Sequence, residues 1–125
     1  PDLCVAVDVT HGDSPDASKD KTFRLGGGPV IGLGPNCARW MSQRLRDKAR
    51  ELDMDFQLEV MAGHSGTNGW PLQVSREGGA TAVLSLPLRY MHTPVETVSC
   101  RDLEATAELL AAFIRGIGRG VPSYA

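Results

Sequence analysis

The segment "ATAVLSLPLRYMHTPVE", residues 80–96, carries the strongest signal for the fold. Its first nine residues form an almost continuous apolar run, which is typical of a strand buried on both faces of a sheet. The strand gives way to a turn that presents Tyr90, Met91 and His92. Pro94 restricts the backbone of the preceding residue to an extended conformation, so the turn is stiff. The sequence therefore predicts a central strand with a histidine held just beyond its carboxyl end.

A second buried strand is predicted over "LCVAVDV", residues 3–9, and Asp8 lies at its expected end. A carboxylate is costly to bury unless it is hydrogen-bonded, paired or bound to a cation. Asp8 therefore either accepts backbone hydrogen bonds at the strand end or ligates a metal ion. His92 is equally open, because a histidine in a turn can be structural or solvated, although imidazole is the commonest metal ligand.

Hydrophobic periodicity predicts four strands and three helices in the order β, β, α, β, α, β, α. The two remaining strands are expected over residues 29–33 and 56–62, and the helices over residues 36–53, after residue 68, and from residue 99 onward. Alternation of strands and helices implies an α/β fold with three αβα layers and a largely parallel or mixed central sheet. Asn36 is expected to cap the first helix.

The last helix is expected to begin with a capping box made by Ser99 and Asp102. Its predicted buried stripe consists of Leu103, Ala107, Leu110, Ile114 and Ile117. Gly116 and Gly118 are expected to end it.

Composition excludes several classes of function. The chain has 125 residues and a formal net charge of −2, so it lacks the clustered basic excess that nucleic-acid binding requires. No apolar run approaches the roughly 18 residues of a membrane span. Three scattered cysteines favour a reducing, cytoplasmic compartment. Because the chain enters a buried strand almost at once from Pro1, we expect it to be the C-terminal part of a larger protein.

Ligand sites in open α/β sheets form beyond the carboxyl ends of the strands. Three features are expected there: Asp8, the "GHSGTN" loop of residues 63–68, and the His92 turn. Parallel strands would gather all three at one edge of the sheet. The loop also resembles a nucleophile elbow around Ser65, although Thr67 stands where that motif needs glycine, so a serine hydrolase is a disfavoured alternative.

Several motifs together carry a family resemblance. They are "VAVDVTHGDSP", "LGGGPVIGLGPN", "EVMAGHSGTNGWPLQVSREGGATAVLSLPLRYMHTPVE" and "DLEATAELLAAFI". In order and spacing this set resembles, from about Leu3 to Ile117, the C-terminal third of the TET-type glutamyl or deblocking aminopeptidases. These are also known as endoglucanase M or cellulase M. This sequence departs from many members at Asn68, where they carry Asp, and at Gly27, where they often carry Lys.

The resemblance implies a metallo-aminopeptidase that releases N-terminal residues from peptides with two divalent metal ions, zinc or cobalt. Asp8 and His92 match metal ligands, and Ser65, Gly66 and Thr67 match a loop that borders the substrate site. The general base and the other ligands lie upstream, so this chain holds no catalytic residue of its own.

Residues 1–125 would then be the C-terminal portion of the catalytic domain, without its N-terminal portion and without the inserted domain that forms homo-oligomers. We expect this portion to be inactive alone. A non-catalytic α/β interaction module remains the alternative from another class.

Overall fold

The computed structural model describes residues 1–64 and 66–118. Five strands, three α-helices and one short 3₁₀ helix follow one another along them. In chain order they are β1 (Leu3–His11), the 3₁₀ helix (Lys19–Lys21), β2 (Val30–Leu33), α1 (Arg39–Glu51), β3 (Gln57–Val60), α2 (Gly69–Gln73), β4 (Ala80–Arg89), β5 (Thr97–Val98) and α3 (Cys100–Ile117). The predicted succession is confirmed, with β5 and the 3₁₀ helix as additions.

The sheet is mixed, with strand order β1-β4-β2-β3 and β5 paired to β4. β1 and β4 are parallel over nine residue pairs, from Leu3 opposite Ala80 to His11 opposite Leu88. β2 runs antiparallel to β4, and β3 runs parallel to β2. Two parallel pairs of strands therefore lie side by side in opposite directions.

Helices cover both faces of the sheet, which confirms the three-layer αβα architecture. On one face, α1 and α3 pack against the strands in a core that contains Met41, Leu45, Leu84, Leu109 and Phe113. On the other face, a smaller cluster of Ala6, Cys37 and Val83 is flanked by Met61 and by Leu72 of α2. β4 is buried on both faces from Thr81 to Leu88, as its apolar sequence predicts.

The predicted buried stripe of α3 is wrong over much of its length. Leu103 and Ile114 are 54% and 59% exposed, and Ala107 is also exposed. The side chains that face the core are Asp102, Thr106, Leu109 and Phe113. Two polar residues occupy the first half of the buried face, so hydrophobic periodicity alone misplaces it.

Asp102 is buried because its carboxylate has backbone partners. The N–H groups of Gly26 and Gly28 donate to its two oxygens at 2.8 and 2.9 Å. The predicted capping box is therefore wrong: Ser99 is the N-cap residue but makes no side-chain cap bond, and Asp102 instead fixes the glycine-rich segment before β2.

The first helix also begins differently from the prediction. It starts at Arg39 after Ala38, and no side chain caps it. The Asn36 side-chain amide instead donates to Gln73 Oε1 at 3.0 Å, which joins the start of α1 to α2. Within the described residues, none of the helices has the length and apolar character that a membrane crossing requires.

Candidate functional site

One edge of the sheet carries the carboxyl ends of β1 and β4. Because these strands are parallel neighbours, His11 and Arg89 end at the same side. The turn that contains His92 follows β4 directly, and the chain returns through β5, in which Val98 pairs with Leu88. The structure thus confirms that His92 lies beyond the end of a buried central strand.

Asp8 lies inside β1 and not at its end. The strand continues to His11, three residues beyond Asp8, and Asp8 is opposite Ser85. Its carboxylate accepts a hydrogen bond from the Val9 N–H at 2.7 Å. Since side chains alternate along a strand, Asp8 faces the same side as its buried neighbours Ala6 and Thr10.

Polar groups cluster on this face of the sheet. The Thr10 hydroxyl donates to Glu59 Oε1 at 2.8 Å, which links β1 to β3. Cys37 lies near Glu59: burial raises the pKa of the Cys37 thiol, a hydrogen bond with the Val83 backbone opposes this, and the Glu59 charge raises it further. The thiol is therefore kept neutral, while Glu59 adds a carboxylate to the face that carries Asp8.

The His92 turn has an unusual backbone. Tyr90 and His92 have φ angles of +60° and +64°, in the left-handed region that residues with a side chain rarely occupy. Such a residue costs about 1–3 kcal/mol unless surrounding contacts hold it in place. Both side chains are exposed, so burial provides little of that compensation.

Hydrogen bonds hold the turn instead. The Thr93 hydroxyl donates to the Tyr90 carbonyl at 2.6 Å, and the Thr93 N–H donates to the same oxygen at 3.2 Å. The His92 N–H donates to Glu96 Oε2 at 3.3 Å, and the Val95 N–H donates to the Thr93 hydroxyl at 3.3 Å. The turn is thus built from its own side chains, with Thr93 as donor and acceptor.

An ion pair anchors the turn where it leaves β4. Arg89 donates from Nη2 to Asp13 Oδ1 at 3.0 Å and from Nε to the Asp13 carbonyl. Partial burial by itself raises the pKa of Asp13, but hydrogen bonds from Arg89 and the Leu25 N–H, together with the Arg89 charge, lower it by more. The pKa of Asp13 is therefore below its ordinary value of 3.8.

A cavity of about 630 Å³ adjoins this ion pair. Its lining includes Asp13, Lys19, Arg24, Gln57, Arg89 and Tyr90. Arg89 is the last residue of β4, and Tyr90 begins the turn that contains His92. The cavity therefore places open space beside the turn.

The loop after β3 lies at the opposite edge. Because β3 runs against β1 and β4, its carboxyl end meets the edge where those two strands begin. The expectation that all three loops gather at one edge is therefore wrong for Gly66 and Thr67, and Ser65 lies outside the described residues. The topology also removes support for the serine hydrolase, because His92 stands at the far edge from this loop.

The loop has its own local structure. The His64 and Trp70 rings stack with centroids 3.9 Å apart, and the Thr67 hydroxyl accepts from the Gly69 N–H at 3.1 Å. These contacts join the loop to the start of α2. The assignment of Ser65, Gly66 and Thr67 to substrate binding stays a prediction that the resemblance alone supports.

Carboxylate oxygen and imidazole nitrogen are both ordinary ligands of zinc and cobalt, so the donor types of Asp8 and His92 fit such metals. Their number does not suffice. Within residues 1–64 and 66–118, no three His, Cys, Asp or Glu side chains come together in a group that could hold a metal ion. Further ligands would have to come from outside the described residues.

The sequence alone did not point to several residues around the proposed ligands. Glu59 sits in an alternating strand and reads as a solvated position, and Arg89 and Asp13 are 76 residues apart. Thr93 and Glu96 belong to the quoted motif, but only the backbone geometry shows what they hold. One local signal could have identified Thr93 and Glu96: they flank the proline of a turn that directly follows a buried strand.

The fold and this edge define a three-layer α/β domain of the kind that binds ligands beyond the ends of central strands. Comparison with known proteins gives the family. Residues 1–109 match the family described as M42 glutamyl aminopeptidase. The chain belongs to this family.

Individual relatives agree with this assignment. A lysyl aminopeptidase of Pyrococcus furiosus is 37% identical over 114 residues, which cover 91% of this chain and 33% of the relative. The solved aminopeptidase of the archaeon Desulfurococcus kamchatkensis matches with a TM-score of 0.80 and 31% identity, over 98% of this chain and 39% of that one.

A third match is the TET1 peptidase of Pyrococcus horikoshii, described as able to assemble into a tetrahedron or a large octahedral shell. It has a TM-score of 0.69 and 28% identity, over 90% of this chain and 32% of that one. The chain thus spans about a third of the length of the curated relatives that it matches.

Proposed function

We propose that residues 1–125 form the C-terminal portion of the catalytic domain of a metal-dependent aminopeptidase. The observation that carries this proposal is the parallel pairing of β1 and β4 in a chain of the M42 family. This pairing puts the strand of Asp8 beside the strand that leads to His92. The remaining length of the relatives leaves room for the other ligands and for a general base.

In this proposal Asp8 and His92 supply ligands to a pair of divalent metal ions, zinc or cobalt. When bound, such metals polarise a carbonyl group and lower the pKa of water, which is the chemistry that peptide hydrolysis needs. This chain's own contribution is to hold and orient. β1 fixes the Asp8 carboxylate on a rigid strand, and the Tyr90–Glu96 turn directs the imidazole.

The other parts of the proposal rest on the family and on the relatives. The substrate would be a peptide whose N-terminal residue is released, and Ser65, Gly66 and Thr67 would border its site. The whole protein would form a homo-oligomer and act in the cytoplasm. Neither nucleic acid nor a membrane is a proposed partner.

The proposal is tested on the whole protein with aminoacyl-anilide substrates. We expect hydrolysis that a chelator abolishes and that added zinc or cobalt restores, whereas residues 1–125 alone show no turnover. The matched variants are Asp8→Asn and Asp2→Asn, since Asp2 is an exposed carboxylate six residues earlier on the chain. Only the first should abolish turnover.

Three outcomes would contradict the proposal. Turnover that survives in Asp8→Asn would remove Asp8 from the site. Chelator-sensitive turnover by residues 1–125 alone would show that the other ligands are not needed. A whole protein that hydrolyses no peptide substrate in any metal would favour a non-catalytic α/β module.

A further inference from the structure

We propose that Thr93 and Glu96 are positioning residues that hold His92 in its left-handed backbone conformation and so direct its imidazole toward the metal. We name these two side chains, with their hydrogen bonds to residues 90–95, the turn latch. The inference deepens the proposed function and rests on it, because it assumes that His92 is a ligand.

The backbone of the turn needs such a device. Tyr90 and His92 both have positive φ angles and are separated by one residue. Histidine is tolerated in this region better than a bulky residue such as tyrosine. Tyr90 is 49% exposed and His92 is exposed, so packing of their side chains does not account for the conformation.

Thr93 makes the central contacts of the latch. Its hydroxyl donates to the Tyr90 carbonyl at 2.6 Å and accepts from the Val95 N–H at 3.3 Å. One hydroxyl therefore ties the residue before the turn to the residue after Pro94. An isosteric valine at this position would keep the shape and the β-branch but would lose both bonds.

Glu96 closes the latch on the other side. Its carboxylate accepts from the His92 N–H at 3.3 Å, which is the backbone of the proposed ligand itself. Pro94 stiffens the segment between the two latch residues, because its ring fixes its own φ and restricts Thr93. The latch therefore acts on the backbone geometry of the turn.

Loss of the latch should lower metal affinity because it reduces the fraction of molecules in the conformation that binds metal. If the turn relaxes, only a fraction of molecules presents the imidazole correctly, and the apparent dissociation constant rises by the inverse of that fraction. Groups that orient metal ligands typically change affinity by at least about tenfold when they are removed. We expect a loss of about this size for Thr93→Val.

The experiment measures zinc affinity of the whole protein by competition with a chelating dye. Thr93→Val should bind zinc about tenfold more weakly, and Thr93→Ser, which restores the hydroxyl, should bind nearly as tightly as the unmodified protein. Glu96→Ala should weaken binding and Glu96→Gln, which keeps an acceptor, should weaken it less. Thr97→Val is the matched control, because the Thr97 hydroxyl donates to the Val95 carbonyl at 3.0 Å and makes no bond to residues 90–93 in the described part of the chain.

Two further readouts separate a latch from a general structural role. At saturating metal, the kcat of Thr93→Val should recover while KM for the peptide stays unchanged, and the Tm of the metal-free protein should move no more than that of Thr97→Val. Equal zinc affinity in Thr93→Val and the unmodified protein would overturn the inference, as would a Thr93→Ser variant as weak as Thr93→Val.

A His92→Ala variant separates failure of the proposed function from failure of the turn latch. If His92→Ala binds zinc normally, His92 is no ligand and the proposed function fails at this residue together with the latch. If His92→Ala loses zinc but Thr93→Val does not, the latch alone fails.

Discussion

Replacement of Asp102 by alanine should lower the free energy of unfolding far more than a substitution on the exposed face of the same helix. Asp102 is 1% exposed and its carboxylate accepts two backbone hydrogen bonds, from Gly26 at 2.8 Å and from Gly28 at 2.9 Å. A hydrogen bond to a charged group contributes about 1.5–3 kcal/mol, and a buried donor left without a partner pays its full desolvation cost.

The expected loss follows from these two bonds. The Gly28 N–H is buried and would stay unsatisfied, whereas Gly26 is exposed and water can replace its partner. We therefore expect Asp102→Ala to lower the free energy of unfolding by about 3 kcal/mol, below the sum of two full contributions. Asp102→Asn keeps one acceptor oxygen and should lose about half as much.

The assay is urea unfolding of residues 1–125, followed by tryptophan fluorescence. Glu104→Ala is the matched control, because Glu104 is an exposed acid two residues further along α3. It should change the free energy of unfolding by no more than about 0.5 kcal/mol. A loss below about 1 kcal/mol for Asp102→Ala, or equal stability of Asp102→Asn and the unmodified chain, would show that the two hydrogen bonds to Asp102 do not stabilise the fold.

Three further predictions concern stability and reactivity. Gly28→Ala should destabilise the chain by more than about 3 kcal/mol in the same urea assay, because a Cβ there would collide with the Asp55 carbonyl oxygen. Gly26→Ala is the control: its Cβ would meet no atom within 4 Å, so it should cost only about 1 kcal/mol of backbone strain. Cys100 is exposed, whereas Cys37 is buried and its burial raises the pKa of its thiol, so Cys100 should react with iodoacetamide well before Cys37. Mass spectrometry of the digested chain measures the order of labelling, and earlier labelling of Cys37 would contradict this prediction. Because the pKa of Asp13 is lowered, its ion pair with Arg89 stabilises the fold fully at pH values above the ordinary 3.8 and loses that contribution as the pH falls through the lowered value. In acid unfolding, Asp13→Asn should therefore lose less stability over this pH range than the unmodified chain.

The sequence predicts the layers of this fold well. The apolar runs of β1 and β4 identify two central strands, because a strand buried on both faces needs nonpolar side chains at every position. The alternation of these strands with amphipathic segments predicts helices on both faces. These are local signals, and they carry through to the structure.

Strand direction is not a local signal. The antiparallel pairing of Val30 with Ser85 joins residues 55 positions apart, and nothing in the periodicity of either segment specifies it. That one pairing reverses β2 and β3 and moves the Gly66–Thr67 loop to the far edge. The prediction that three loops gather at one edge failed for this reason alone.

Buried polar residues account for most of the other differences. In α3, Asp102 and Thr106 face the core of the domain because each has a backbone hydrogen-bond partner. The apolar stripe of the sequence therefore predicts the wrong buried face. The turn latch is hidden for the same reason, since a hydroxyl and a carboxylate near a proline read as ordinary loop residues. The positive φ angles at Tyr90 and His92 show that this backbone is strained and that Thr93 and Glu96 can stabilise it.

The role of Asp8 and His92 as metal ligands is tested by the metal content of the whole protein after dialysis against trace zinc, measured with and without these two side chains. We expect about two zinc ions per subunit in the unmodified protein, a clear loss in Asp8→Asn and in His92→Ala, and no loss in His11→Ala, whose histidine is exposed three residues beyond Asp8. Full zinc occupancy in both Asp8→Asn and His92→Ala would contradict the claim that Asp8 and His92 supply metal ligands.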